Sequence, residues 1–223
     1  MPFLVLANFK SHKTIPEVKS WLETIVPVFE QYQDQLEVII APSFPHLHLL
    51  SSSLNSCAQD VSPFPPGAYT GAVNAPQLKD LGVKYCLVGH SERRHFFHET
   101  HQDVANKVSE LLGVGITPVL LLSEKDIVPQ FAALDDSLVD RCLYCFEPPS
   151  DIGGTTTAPL DVITQVIGQI RAHTPAPLLY GGSVTPQNIA NLLPLNLSGI
   201  LVATASLETS SFNSILEVIA HAR

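Results

Sequence analysis

What most constrains this chain is a rhythm: short apolar runs alternate with longer amphipathic stretches from one end to the other. Strand candidates lie at 3–8, 36–41, 56–60, 84–89, 116–122, 142–147, 177–180 and 199–203. Helical patterns lie between them, at Ile15–Gln31, Ser43–Leu54, Gln77–Leu81, His98–Leu112, Asp126–Leu134, Leu160–His173, Pro186–Leu192 and Phe212–Ala220. Runs such as Val119-Leu-Leu-Leu122 are apolar on both faces, as parallel strands covered by helices outside and packed side chains inside must be. Eight units in one chain leave roughly 28 residues each, a compact spacing for an α/β protein of the (β/α)₈ barrel class. The rival is a doubly wound open sheet, but no Gly-x-Gly-x-x-Gly follows the first strand, where Asn8-Phe-Lys10 stands instead. The expectation is one barrel domain over residues 1–223.

Composition narrows the function classes. Apolar residues make up 45% of the 223, enough to fill a core and to exclude intrinsic disorder. No apolar run approaches the roughly 20 residues a bilayer span requires. The formal charge is −9, so nucleic acid and anionic membranes are poor partners unless a local basic face exists. An anionic small molecule needs local donors to overcome that repulsion. The opening Met-Pro-Phe-Leu-Val-Leu-Ala lacks the basic flank of a secretory leader and reads as a strand. Cys57, Cys86, Cys142 and Cys145 sit in or beside strands, as buried thiols of a cytoplasmic protein would.

Chemistry in a parallel barrel belongs at the C-terminal ends of the strands. Strand 1 ends in Asn8-Phe-Lys10, with a cation at the mouth of an acidic protein. Strand 4 runs into His90, with Ser91 a natural N-cap for a following helix whose dipole favours neutral imidazole. Strand 6 delivers Glu147, whose carboxyl an apolar site would push up and make a better base. Pro148-Pro149 and Gly153-Gly154 then suit a hinged lid over 148–158. Strand 7 ends in Tyr180-Gly-Gly-Ser183, and strand 8 in Val202-Ala203-Thr204. Loops after strands 7 and 8 commonly bind phosphate in barrels, and amides at 182–184 near a helix start suit an anion. Each feature alone has an ordinary structural explanation: a solvated lysine, a core histidine, an ion-paired glutamate, a plain turn.

Together, Asn8-Phe-Lys10, Gly67-Ala-Tyr-Thr-Gly71, Val88-Gly-His-Ser-Glu-Arg-Arg94, Phe146-Glu-Pro148 with Ile152-Gly153, and Tyr180-Gly-Gly-Ser-Val184 resemble the triosephosphate isomerases, in family order over nearly the whole chain. The resemblance implies a cofactor-free TIM barrel that interconverts dihydroxyacetone phosphate and D-glyceraldehyde 3-phosphate. By similarity Glu147 is the general base, His90 the electrophile and proton shuttle, and Lys10 the electrostatic stabiliser. Asn8, Lys10, Gly153, Ser183, Ala203 and Thr204 would bind the substrate and its phosphate. Glu92 matches an acidic residue behind the histidine. The chain departs from the pattern at Ala203-Thr204, where a glycine pair is usual, at Gly153-Gly-Thr-Thr-Thr157, at Leu121-Leu-Ser-Glu124, and at Asp60, where asparagine is usual.

The resemblance also implies a homodimer, with a tetramer open, through a loop at 61–75 tipped by Tyr69-Thr70 that meets a second copy. His95, His98 and His101 would share a helical face, yet no carboxylate or cysteine spacing supports a metal site. Cys142 and Cys145, three apart in a strand, should face opposite sides and not meet. A barrel that binds a sugar phosphate without turning it over, and another phosphate-binding barrel enzyme, are the alternatives. Lys10, His90 and Glu147 together argue against both, since a binder needs no base.

Overall fold

The structure, a computed structural model, describes residues 2–50, 54–148 and 156–223. Strands β1 (Phe3–Asn8), β2 (Leu36–Ala41), β3 (Asn55–Ala58), β4 (Tyr85–Val88), β5 (Thr117–Leu122), β6 (Leu143–Phe146), β7 (Leu178–Tyr180) and β8 (Gly199–Val202) are all parallel and pair in chain order. β8 returns to β1, with Leu4 opposite Gly199 and Ala7 opposite Val202, so the sheet closes. The fold is the expected (β/α)₈ barrel, and each strand lies within two residues of its predicted bounds. Outside it run α1 (Ile15–Tyr32), α2 (Ala75–Asp80), α3 (Ser91–Phe96), α4 (His101–Gly113), α5 (Ile127–Ala133), α6 (Asp136–Val139), α7 (Leu160–Arg171), α8 (Ile189–Leu192) and α9 (Thr209–Ala222). Among the described residues no helix is long and apolar enough to cross a membrane.

Strand alternation divides the core in two. Leu4, Leu6, Ile39, Cys57, Leu87, Val119, Leu121, Cys145, Leu179 and Leu201 fill the barrel interior. Their odd-even partners, such as Phe3, Val5, Val38, Val88, Leu120 and Tyr144, pack outward against the helices. Continuing the inward series by two residues reaches Asn8, Gln59, Gly89, Glu147, Gly181 and Ala203. The inward register therefore aims the strand-end residues at the barrel mouth. Cys142 packs in the outer layer and Cys145 in the inner one, so the two thiols do face opposite sides.

Two helical expectations change. The stretch 43–54 holds only a 3₁₀ turn, Phe44–Leu49, started by Pro45, and 51–53 lie outside the described residues. The predicted helix His98–Leu112 is α4, which begins three residues later than expected, with α3 ahead of it. Thr100 and Asp103 form a reciprocal capping box that starts α4 at His101, and His98, at φ +56°, stands in the left-handed region between them. His95, His98 and His101 thus belong to a helix, a link and another helix, and share no helical face. Among the described residues no group of three His, Cys, Asp or Glu is arranged to hold a metal.

Trp21 of α1 ties the two ends of the barrel's seam together. Its Nε1 donates to the Ser206 carbonyl at 2.8 Å, and its ring meets Phe9 and Phe212 at 4.8 and 5.4 Å. The loops after β1 and β8, both carriers of candidate site residues, are held to one helix by this side chain.

Closure leaves no space between β1 and β8 at Gly199. A Cβ there would lie 2.3 Å from the Leu4 carbonyl oxygen. Gly199→Ala is expected to lower the unfolding free energy by about 3 kcal/mol, the upper range for overpacking. Urea denaturation measures it, and unchanged stability would mean the seam is looser than described.

Candidate active site

His90 follows β4 and serves as N-cap of α3, the place expected of Ser91. Its ring Nδ1 accepts from the Glu92 backbone N–H at 3.2 Å. A ring nitrogen that accepts carries no proton, which places the ring's hydrogen on Nε2. Nε2 lies 3.1 Å from Glu147 Oε1, but the N–H is not aligned with that oxygen, and among the described residues the buried atom has no hydrogen-bond partner. Ser91 is instead the first residue of α3, and its freed side chain does something else. Its hydroxyl donates to Glu147 Oε2 at 2.6 Å and its backbone N–H to the same oxygen at 3.2 Å.

Glu147 comes straight off β6, and the ladder continues to it: its N–H donates to the Leu122 carbonyl at 2.8 Å. It is 4% exposed. Burial pushes its carboxyl up, but the His90 ring and the Ser91 hydroxyl and amide pull it down further. The net direction is below the ordinary 4.5, the reverse of the sequence expectation. The His90 ring first, and then the two Ser91 donors, outweigh the apolar surroundings, and the pattern of strands alone gave no sign of them.

Lys10 leaves the strand abruptly. Its backbone is in the left-handed region at φ +49°, uncommon for a residue with a Cβ. Two neighbours hold it there: its N–H donates to Asn8 Oδ1 at 3.0 Å, and its carbonyl accepts from Gln59 Nε2 at 2.8 Å. Gln59 also donates to the Ala41 carbonyl at 2.8 Å, so one side chain after β3 clamps the ends of β1 and β2. The Lys10 ammonium sits 2.7 Å from Glu92 Oε1, and Glu92 Oε2 lies 3.8 Å from His90 Nδ1. Glu92 links two of the three candidate catalytic residues, and the His90–Glu147 contact links the third. Lys10, His90 and Glu147, 137 residues apart at the extremes, share one connected group.

On the other side of the mouth, Gly181 donates its N–H to the Phe146 carbonyl at 2.8 Å, and a Cβ on it would lie 2.9 Å from Cys145 Sγ. Ser183 takes a left-handed φ of +43°. The turn after it is bracketed by Asn188, which donates to the Ser183 carbonyl and accepts from the Thr185 N–H, both at 2.8 Å. α8 starts only at Ile189, so no helix begins at 182–184 as the sequence suggested. Ala203 packs on the interior cluster beneath the mouth, and Thr204 opens a 3₁₀ turn with its side chain exposed. Gly153 and the lid segment 149–155 lie outside the described residues.

Behind the mouth, Asp60 has a role of its own. Its carboxylate accepts from Lys107 at 2.6 Å and pairs with Arg93 at 2.8 Å, and Glu99 joins both cations. Lys107 is 2% exposed, and this pairing is what lets an ammonium stay there. Burial raises the Asp60 carboxyl against the pull of Lys107. A cavity of about 530 Å³ borders this cluster and the loop 61–75, lined among others by Phe64, Tyr69, Thr70 and Phe97, and it does not include Lys10, His90 or Glu147. Reactive groups, not cavity volume, mark the site. Ser91, Gln59 and Glu92 are the polar partners that sequence reading underweighted. Ser91 and Glu92 were noted in the sequence for other roles, and Gln59 could have been found from the inward register one step past β3.

Comparison with known proteins agrees with the geometry. The family model described as triosephosphate isomerase matches residues 3–219. Proteins named triosephosphate isomerase from Nostoc sp. and Gloeobacter violaceus are each 34% identical to it, over 97% and 96% of this chain and 98% and 97% of their own lengths. That of Thermus thermophilus is 35% identical over 96% of this chain and 98% of its own. With the barrel closed, its strand-end residues gathered and the match running over nearly its full length, the chain belongs to the triosephosphate isomerase family of isomerase enzymes.

Proposed function

We propose that this protein interconverts dihydroxyacetone phosphate and D-glyceraldehyde 3-phosphate through an enediol(ate), as one barrel domain working in glycolysis and gluconeogenesis in the cytoplasm. The observation that carries the reading is the buried His90 Nε2, a donor that has no acceptor among the described residues and lies beside the Glu147 carboxylate. A buried donor left unpaired is costly, and a substrate carbonyl oxygen would satisfy it.

In this reading Glu147 removes a proton from the carbon beside the carbonyl. The electron pair moves into the carbon–carbon bond and charge builds on the carbonyl oxygen. The His90 Nε2–H donates to that oxygen, and the Lys10 ammonium stabilises the charge; preorganised donors of this kind are commonly the largest single contribution to rate. His90 then moves a proton between the two oxygens of the enediol, and Glu147 returns its proton to the neighbouring carbon. The division of labour between a glutamate base and a neutral histidine is the known pattern of the family and not a result of this structure. Glu147 must first leave the Ser91 hydroxyl, and losing that donor would raise its pKa and strengthen it as a base. Asn8, Lys10, Gly153, Ser183, Ala203 and Thr204 are the proposed substrate and phosphate contacts.

A second copy of this chain is the proposed partner, as a homodimer with a tetramer as the larger alternative. Phe64 and Tyr69 stack at 4.6 Å on the loop 61–75, and Phe96 and Phe97 are 67% and 64% exposed. Exposed aromatic surface of this kind favours burial against a partner. Sedimentation at micromolar concentration should give a dimer, and Tyr69→Ser with Phe97→Ser should give monomers. A monomeric unsubstituted chain would overturn this part.

Activity is tested with glyceraldehyde 3-phosphate in an assay coupled to reduction of dihydroxyacetone phosphate. Glu147→Gln should lower kcat by about 10²–10⁴-fold with inorganic phosphate binding kept. Turnover near or below about 1 s⁻¹ in the unsubstituted protein would favour a binder over an isomerase.

The pH behaviour follows from the His90 and Ser91 contacts of Glu147. Because the folded-state pKa of Glu147 is lowered, its carboxylate persists below pH 4.5 and takes a proton only in more acid solution. The matching stability is present above 4.5 and lost as pH falls through the folded value. Ser91→Ala should move that titration upward. Triose phosphates also titrate near about pH 6, so carboxyl ¹³C resonances of the free protein, and not rates, are the clean measurement. An unmoved resonance would remove Ser91 from the account.

A further inference from the structure

The His90 ring is only as well placed as the backbone that carries it, and one side chain outside the reacting group controls that backbone. Gly89, just before His90, takes φ +71°, and a Cβ on it would lie 2.6 Å from Arg94 Nη2 and 3.3 Å from the Leu121 carbonyl oxygen. Its carbonyl accepts from Arg94 Nε at 2.8 Å. The same guanidinium donates through Nη2 to Gln130 Oε1, also at 2.8 Å. Gln130, on α5, is fully buried, and its Nε2 donates to the His101 carbonyl at the start of α4, 3.1 Å away. The backbone amides of Arg93 and Arg94 cap the His90 carbonyl at 2.9 and 3.1 Å. The turn between β4 and α3 is thereby pinned to two outer helices through one guanidinium.

We propose that Arg94, backed by Gln130, is a positioning residue for His90: its planar guanidinium fixes the Gly89 carbonyl and so the direction in which the imidazole Nε2 points. The proposal rests on His90 as the electrophile. Arginine suits this place because its donors leave the plane in fixed directions, one for each acceptor. A lysine ammonium would reach one acceptor as a point charge and leave the buried Gln130 oxygen or the Gly89 carbonyl without its donor. Arg94 touches none of the proposed reacting atoms, so its effect must pass through the Gly89–His90 peptide. Misplacement of a catalytic group by about 1 Å costs on the order of 10²-fold in rate.

The test uses the full chain with Arg94→Lys and, separately, Gln130→Leu. Both should lower kcat about 10- to 100-fold while KM moves less than about threefold, with the dissociation constant for inorganic phosphate unchanged. The ring ¹⁵N resonances of His90 should shift in both variants. The double variant should be little worse than Arg94→Lys, since the two side chains act as one support. The proposal is overturned if kcat and the His90 resonances stay as in the unsubstituted protein. It is equally overturned if kcat, phosphate binding and NMR dispersion decline together, which would mark general loosening. If the unsubstituted protein turns over no glyceraldehyde 3-phosphate, the isomerase reading fails. The His90 resonances then still decide the brace by themselves.

Discussion

Closure of β1 against β8 is the constraint on which the other features rest. An open sheet of the same eight strands would leave β1 and β8 at opposite edges, and Asn8 and Ala203 far apart. Closed, the parallel ladder points every strand the same way and brings all eight C-terminal ends to one rim. The close approach of Gly199 to Leu4 and the hold of Trp21 on the loops after β1 and β8 both serve that seam. Register does the rest. Because side chains alternate, a one-residue slip would turn Glu147 from the mouth into the helix layer.

Within the rim, charge is local and paired. The chain as a whole is acidic, yet Lys10 presents an ammonium at the mouth because Glu92 holds it. The helix start at His90 works in the same economical way: one backbone N–H from Glu92 fixes the ring's tautomer and leaves Nε2 as the donor. Ser91, displaced from capping, joins the His90 ring in holding the Glu147 carboxyl below its ordinary pKa. Capping, tautomer and carboxylate state are thus one connected arrangement. The same turn is braced from behind by Arg94, so the imidazole is fixed on the site side and on the helix side.

The parallel strands were readable because their chemistry is local: a run such as Val119–Leu122 is apolar on both faces and has few other places to go. The motif residues Lys10, His90 and Glu147 were readable because they end such runs. What could not be read were partners supplied from elsewhere in the chain. Gln59 lies 49 residues from the Lys10 carbonyl it clamps, and Ser91 lies 56 residues from Glu147. The start of α4 was placed three residues early, at His98, although Thr100 and Asp103 form a recognisable capping box, because no Gly or Pro marks the boundary.

By itself, then, the order of residues determined the class of fold, the strand ends that carry chemistry and the identity of the three candidate catalytic groups. The fold class and the strand ends follow from hydrophobic patterning and side-chain type, both properties of short stretches. The choice of the three groups follows from the resemblance of their motifs to the triosephosphate isomerases. Tertiary structure alone decided that Nδ1 of His90 accepts and Nε2 donates, that Glu147 is held below its ordinary pKa, and that Lys10 stays in a left-handed backbone. Each of those depends on a hydrogen bond or a charge within a few ångströms in space, and neither the direction nor the distance of such a contact is written in the spacing of a sequence.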